Sequence, residues 1–79
     1  MRLDKFLKVS RVIKRRTVAN EACDAGRVAV NGKIAKAGLE IKAGDQVEIR
    51  FGGNMMKFEI LSVAEQTKKE DASMMYKIL

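Results

Sequence analysis

The 79-residue sequence contains no histidine, no tryptophan and only one cysteine, Cys23. Without histidine the chain lacks the commonest metal ligand and the commonest general base. A lone cysteine cannot close a disulfide bond within the chain, and it favours a reducing compartment such as the cytoplasm. Because the carboxylates are scattered along the chain, no pairing of nucleophile and base is visible. We therefore expect no enzyme activity, no metal site and no cofactor.

The sequence also lacks long apolar runs. Its apolar stretches are only a few residues long, whereas a helix that spans a bilayer needs about 20. Residues Met1 to Lys5 run directly into a charged helical pattern, with no apolar segment typical of a signal peptide. We expect no membrane contact and a cytoplasmic location. An apolar content of 47% beside 33% charged residues indicates one small folded domain.

Positive charge is concentrated in the first half of the chain. Residues 1–36 contain ten lysines and arginines against three acids, whereas residues 37–79 contain six against seven. The first half therefore carries a net charge of +7 and the second a net charge of −1. A folded surface with one-sided positive charge suits a polyanion, because each phosphate contact releases condensed counterions. This distribution predicts nucleic acid as the ligand.

The basic half begins with the pattern of a short amphipathic helix. Leu3, Phe6 and Leu7 lie at helical spacing and are predicted to face the core. Beside them runs a cationic stripe that recurs every third residue, namely Arg2, Lys5, Lys8 and Arg11. The first helix therefore offers one face to the core and a basic face to a ligand.

A second helix is predicted from about residue 14 or 15 to Asp24. Four apolar residues are expected on its core side, namely Val18, Ala19, Ala22 and Cys23. Cys23 is interpreted as a core thiol rather than a reactive one, since its nearest charge in the sequence is Asp24. Gly26 follows at the position where a left-handed C-terminal cap is expected.

After Gly26 the period of the apolar residues changes to two. Residues 27–30 alternate, and Asn31-Gly32 is the strongest short signal for a hairpin turn. Another turn, Gly44-Asp45, precedes an alternating strand over residues 46–51. These signals predict a small sheet that follows the two helices.

A third turn at residues 52–54 precedes a last predicted strand at 55–63. The order of elements predicts an α+β fold in which two N-terminal helices pack on a small, mainly antiparallel sheet. Residues 1–63 are expected to form the folded domain, and residues 64–79 a polar linker with a candidate short C-terminal helix. The face of that helix would consist of Ala72, Met75, Tyr76 and Leu79.

These motifs resemble those of the S-four RNA-binding domain, the αL module named after small-subunit ribosomal protein four. The matching segments keep the family order and spacing over residues 1–51: Arg2-Leu3-Asp4-Lys5-Phe6-Leu7, Arg16 with Ala19 one turn on, Gly26 to Gly32, Lys36, and Gly44-Asp45. One departure is Lys14, where many family members have a serine or threonine helix cap. The second helix is therefore expected to begin without a side-chain cap, or slightly later.

Within this family the chain is similar to the stand-alone members, the heat-shock-protein-fifteen type and its short relative, the ribosome-associated quality control P factor type. The resemblance implies binding to free large ribosomal subunits that still carry peptidyl-tRNA after a stalled ribosome splits. For the short type it also implies support for an untemplated tail on the nascent chain, beside a tRNA-recruiting partner. The near-neutral C-terminal residues favour the short type, and we expect a monomer.

Seven cations among the first 16 residues form the candidate RNA face: Arg2, Lys5, Lys8, Arg11, Lys14, Arg15 and Arg16. A guanidinium group binds two phosphate oxygens or stacks on an exposed base. Unpaired backbone N–H groups at the start of the second helix would also attract a phosphate. The alternative is a solvated cationic face. Arg2 and Arg16 match the family motif and are the leading candidates, and Lys5 and Lys8 are interpreted as replaceable.

Asp4 is an acid within this cationic stripe, and its role is open between three interpretations. It is the i,i+4 partner of Lys8, or it orients Arg2 or Arg16, or it accepts a hydrogen bond from a ribose hydroxyl or a base edge. The resemblance to the RNA-binding family gives the last two about the same weight as the first, since an unpaired carboxylate that faces phosphates otherwise opposes binding.

A second basic ridge is predicted around the first hairpin, from Arg27, Lys33 and Lys36. On any hairpin such residues are also ordinary surface cations, and Asn31 is interpreted mainly as a turn residue. The leading hypothesis is a non-catalytic RNA-binding factor of the large ribosomal subunit that contacts ribosomal RNA and peptidyl-tRNA. The alternative on the same fold is a ribosome assembly factor or the RNA-binding subunit of an rRNA- or tRNA-modifying enzyme.

Overall fold

The computed structural model describes residues 1–63, 72 and 74–79, and within these ranges two helices and a five-stranded sheet are present. The helices are α1 (Leu3–Val9) and α2 (Arg16–Asp24). The strands are β1 (Val28–Val30), β2 (Lys33–Ile34), β3 (Gln46–Phe51), β4 (Asn54–Ile60) and β5 (Tyr76–Ile78). They lie in the order β2-β1-β3-β4-β5 with all neighbours antiparallel, which confirms the predicted α+β fold.

The core lies between the two helices and one face of the sheet. Leu3, Phe6 and Leu7 of α1 are fully buried, as the helical spacing predicts. The ring of Phe6 stacks on that of Phe58 in β4, with 6.3 Å between the ring centroids. This contact packs the first helix against an interior strand of the sheet. Among the described helices, none is long and apolar enough to span a membrane.

The first turn of α1 is held by a neighbouring loop rather than by a capping side chain. The N-cap residue, Arg2, has an extended backbone and makes no capping hydrogen bond with its side chain. Instead, the N–H groups of Leu3 and Asp4 donate to the carbonyl oxygens of Leu39 and Ala37, at 2.8 and 3.1 Å. These bonds satisfy donors that a helix start leaves unpaired, and they fix the start of α1 against this loop.

Helix α2 begins at Arg16 without a side-chain cap, as the departure at Lys14 predicts. It ends in a Schellman motif, in which Gly26 adopts a φ of +73° and the N–H of Arg27 donates to the carbonyl oxygen of Ala22 at 3.0 Å. The predicted core side is confirmed for Ala19 and Cys23, and Ala22 packs against the core. The prediction for Val18 is wrong, because the buried stripe of this short helix is narrow and leaves that side chain 47% exposed.

The hairpin between β1 and β2 has the predicted two-residue turn. Asn31 and Gly32 have φ values of +52° and +83°, the backbone of a type I′ turn. The side chain of Asn31 donates to Asp45 Oδ1 at 3.1 Å and accepts from the N–H of Gln46 at 3.0 Å. Asn31 therefore joins the hairpin to the turn before β3, which supports its interpretation as a structural residue.

The C-terminal residues correct one prediction. Tyr76–Ile78 is the edge strand β5, paired with β4, and not part of a short helix. The ring of Tyr76 packs against that of Phe58 at a centroid distance of 5.2 Å. A helix of this length is marginal alone, whereas a strand on the open edge of β4 gains sheet hydrogen bonds and covers the core. Strand β4 also ends at Ile60 rather than 63, and the predicted linker at 64–71 lies outside the described residues.

Candidate nucleic-acid interface

A buried carboxylate connects the two helices at their N-terminal ends. Asp4 is only 2% exposed, and its Oδ2 accepts hydrogen bonds from Arg16 Nε at 3.2 Å and from Asn20 Nδ2 at 3.4 Å. Its Oδ1 accepts from the backbone N–H of Lys5 at 2.8 Å and lies 3.3 Å from Arg2 Nε. One acid therefore holds two arginines from different segments, and we call Asp4, Arg2, Arg16 and Asn20 the Asp4 cluster.

Local structure explains why these side chains meet. Asp4 lies in the first turn of α1, two residues after the extended Arg2, and the two side chains meet at the helix start. Arg16 and Asn20 are four residues apart on α2 and share one helical face. The sequence analysis named Arg2, Asp4 and Arg16 but missed Asn20, which the i,i+4 spacing from Arg16 could have indicated.

The charge of Asp4 is stabilised by its partners. Burial alone would raise the pKa of Asp4, but the hydrogen bonds from Arg16 and Asn20, the charge of Arg16 and the N–H of Lys5 hold it below the ordinary value of 3.8. Asp4 is therefore ionised at neutral pH. Of the three interpretations of this residue, the geometry supports the one in which it orients the arginines.

The two arginines of the cluster are fixed by Asp4 but not buried. Their side chains remain 52% exposed for Arg2 and 48% exposed for Arg16. Each guanidinium group has five N–H donors, so that the contacts with Asp4 leave donors directed elsewhere. Next to Arg16 lies a hollow of ≈ 410 Å³ lined by Asp4, Arg16, Thr17, Asn20 and Glu21. The arrangement presents two pre-oriented cations beside a hollow lined by polar residues.

The start of α2 adds unpaired backbone donors to this surface. Within the described residues, the N–H groups of Arg16, Thr17 and Val18 have no protein acceptor. Lys14, Arg15 and Arg16 are all exposed around this helix start. Backbone N–H groups and three cations at one helix end form a surface that attracts a phosphate group.

The remaining cations of α1 lie along its length and at its end. Lys5 is partly buried and Lys8 is exposed in the last turn, where a positive charge complements the helix dipole. Arg11 follows the helix with a φ of +64°, in the left-handed region that side chains other than glycine seldom adopt. These positions continue the basic surface away from the Asp4 cluster.

The hairpin cations do not form one ridge. Lys33 and Lys36 line a groove together with Gly38, and a Cβ atom at Gly38 would lie 3.7 Å from Arg2 Nη2. Arg27 instead lies with Arg50 around two other hollows, and its carbonyl oxygen accepts from the N–H of Arg50 at 2.9 Å. The structure thus brings Lys33 and Lys36 close to the Asp4 cluster and groups Arg27 with Arg50.

The thiol of Cys23 is not part of this surface. Its side chain is buried, and this burial, together with the charges of Asp4 and Asp24, raises the pKa of Cys23 to about 11. The neutral thiol therefore predominates at physiological pH. The interpretation of Cys23 as a core residue agrees with its position.

Comparison with known proteins identifies the family of this chain. Residues 1–47 match the family described as the S4 domain. The RQC P-site tRNA stabilizing factor of Streptococcus pneumoniae is 57% identical over 79 residues, which cover all of this chain and 90% of that protein. The factor of the same name from Halalkalibacterium halodurans is 56% identical over 78 residues, which cover 99% of this chain and 89% of that protein.

A solved structure shares the whole fold. The trimeric structure of Vibrio cholerae Heat Shock Protein 15 aligns with a TM-score of 0.91 and 29% identity, and the alignment covers all of this chain and 81% of that chain. The protein described here therefore belongs to the S4 domain family and, within it, to the group of RQC P-site tRNA stabilizing factors.

Proposed function

We propose that this protein binds the large ribosomal subunit during ribosome-associated quality control, where it contacts ribosomal RNA and the peptidyl-tRNA of a stalled, split subunit. It acts by binding and does not catalyse a reaction. Like its close relatives, which are named for stabilising the P-site tRNA, it holds that tRNA in place while the nascent chain receives an untemplated tail. A tRNA-recruiting partner acts on the same subunit, and the protein works in the cytoplasm as a monomer.

The Asp4 cluster carries this proposal. Asp4 fixes Arg2 and Arg16 while both remain about half exposed, so that little side-chain freedom is lost when the guanidinium groups meet RNA. Each group offers remaining donors to phosphate oxygens or a flat face to an unstacked base. A surface with two pre-oriented arginines and a basic helix start is suited to a folded RNA backbone.

The remaining cations of this surface surround the Asp4 cluster with positive charge. Five of these cations attract the RNA, and counterions condensed on the RNA are released when they bind its phosphates. They are Lys5, Lys8, Arg11, Lys14 and Arg15. We assign Lys33 and Lys36 to the same surface because their groove adjoins the cluster at Gly38. Arg27 lies with Arg50 around other hollows, and we leave it outside the proposed surface.

The test is sedimentation of the tagged protein from cell lysate on a sucrose gradient. We expect wild type to migrate with free large subunits that contain peptidyl-tRNA. An Arg2→Ala/Arg16→Ala variant should remain at the top of the gradient, since each lost contact weakens binding by about 1–3 kcal/mol.

Arg50→Ala is the matched control, because Arg50 is an exposed arginine on β3 outside the Asp4 cluster. It should migrate as wild type does. Wild type that migrates with small subunits or stays at the top would contradict the ribosomal proposal. Unchanged migration of the double variant would remove the Asp4 cluster from the interface.

A further inference from the structure

A groove of ≈ 1020 Å³ lies between the β1–β2 hairpin and the segment 36–42. Its surface is mainly apolar and includes Leu39, which is 42% exposed, beside the buried Val30 and Ala35. Single exposed apolar residues are ordinary on a protein surface. Here, however, Leu39 lies in a concave site with a mainly apolar surface, which is the form of a binding surface rather than of scattered exposure.

The rim of this groove is positively charged. It carries Lys33, Lys36 and Lys42, all exposed, against two acids, Glu40 and Asp45. Glu40 pairs with the terminal ammonium group of Met1, and Asp45 accepts hydrogen bonds from Asn31 Nδ2 and from the N–H of Lys42. Both acids are therefore engaged within the protein. In the described part of the chain, none of the three lysines forms an ion pair.

One wall of the groove is shared with the Asp4 cluster. The loop residue Leu39, which lines the groove, accepts a hydrogen bond from the N–H of Leu3 at the start of α1. Gly38 lines the groove and also lies against the guanidinium group of Arg2. The groove therefore adjoins the guanidinium group of Arg2 on one continuous stretch of the protein surface.

We infer that this groove holds one unpaired nucleotide of the bound RNA, with its base against Leu39 and its phosphates near the lysines. The inference rests on the proposed function and specifies which part of the RNA is recognised. An apolar floor with a cationic rim fits an unstacked nucleotide, which combines an apolar base face with an anionic backbone. Helical RNA would offer phosphates to the lysines but no base face to the apolar floor, because stacking covers the faces of its bases.

The test is chemical probing of the RNA on large subunits that carry peptidyl-tRNA, with wild type or a variant bound. The reagents modify unpaired bases and flexible 2′-hydroxyl groups. Wild type should protect at least one unpaired nucleotide that a Leu39→Ser variant leaves reactive. The variant should bind about three- to tenfold more weakly, which is less than the loss of an aromatic stacking platform would cause. Met55→Ser, a change at an apolar residue that is 59% exposed on β4, is the matched control and should give the wild-type pattern.

The outcomes separate the inference from the proposed function. A wild-type footprint and affinity in the groove variant would overturn the inference and leave the proposed function intact. Weaker binding with no change at any unpaired nucleotide would also overturn it, since a protein segment of the subunit would then occupy the groove. Wild type that leaves no footprint on these subunits would remove the proposed function and the inference together. Circular dichroism checks that the Leu39→Ser and Met55→Ser variants fold, which we expect because both residues are exposed.

Discussion

At the scale of single residues, the chemistry of this protein centres on one buried acid. Asp4 is fully charged and accepts hydrogen bonds from two arginines, an asparagine and a backbone N–H group. A buried carboxylate is unfavourable without such partners. In this protein it organises the cations on which the proposed RNA contact depends.

The pKa of Asp4 predicts how stability varies with pH. Because its pKa is lower in the folded state, ionised Asp4 stabilises the fold above the ordinary pKa, and this contribution is lost as pH falls through the folded-state pKa. At neutral pH, Asp4→Asn should lower the free energy of unfolding by about 1–2 kcal/mol, discounted because both arginines are half exposed.

Urea denaturation of wild type and Asp4→Asn checks this prediction. The difference between the two free energies of unfolding should be constant near neutral pH and should shrink as pH falls below 3.8. Glu21→Gln is the control, since Glu21 is an exposed acid on α2. A difference that persists unchanged in strong acid would show that Asp4 contributes through packing rather than through its charge.

Cys23 provides an independent test of burial at the residue scale. Because its pKa is raised to about 11 and its side chain is buried, the reactive thiolate is scarce in the folded protein. Alkylation by iodoacetamide at mildly alkaline pH should be at least about a hundredfold slower in the folded protein than in denaturant. Mass spectrometry measures both rates. Equal rates would mean that this side of α2 opens readily to solvent.

At the scale of elements, local signals determined what could be predicted. The helices, the cap at Gly26 and the turn at Asn31-Gly32 each depend on a few adjacent residues, and the structure confirms them. Strand β5 could not be predicted in this way. Its residues also fit a helical face, and the choice depends on pairing with β4, which is distant in sequence.

The cap at Gly26 gives a prediction for the end of α2. Its φ of +73° is strained for any residue with a Cβ atom, whereas the nearest atom to such a Cβ, in Ile34, would lie at an ordinary 3.8 Å. Gly26→Ala should therefore lower the free energy of unfolding by about 1 kcal/mol through backbone strain rather than a clash. Thermal denaturation measures the loss.

Gly53→Ala is the matched control for this change. Gly53 has no positive φ, and a Cβ atom there would have no neighbour within 4 Å. This variant should be as stable as wild type, or slightly more stable, because alanine restricts the unfolded chain. Equal losses of unfolding free energy in Gly26→Ala and Gly53→Ala would contradict this account of the cap.

At the scale of the whole molecule, the structure shows where the cations of the basic first half lie and which of them meet. The sequence indicated a basic half and named Arg2, Asp4 and Arg16, but it left the role of Asp4 open among three interpretations. That role depends on how α1 crosses α2, which brings residues 4, 16 and 20 together. The groove at segment 36–42 was not predicted, because Lys42 and Leu39 become its lining only when the loop packs against the start of α1.

The central claim is that Asp4 acts by orienting Arg2 and Arg16 toward RNA. Its most direct test is the equilibrium affinity of wild type, Asp4→Asn and Asp24→Asn for large ribosomal subunits that carry peptidyl-tRNA. Asp24 is an exposed acid at the end of α2, outside the hollow beside Arg16. Each variant removes one negative charge, so a general electrostatic effect would strengthen both complexes. We expect Asp4→Asn to bind roughly tenfold more weakly, as one lost orienting contact costs about 1–2 kcal/mol. Asp24→Asn should bind as well as wild type or better, and equal or tighter binding by Asp4→Asn would contradict the account.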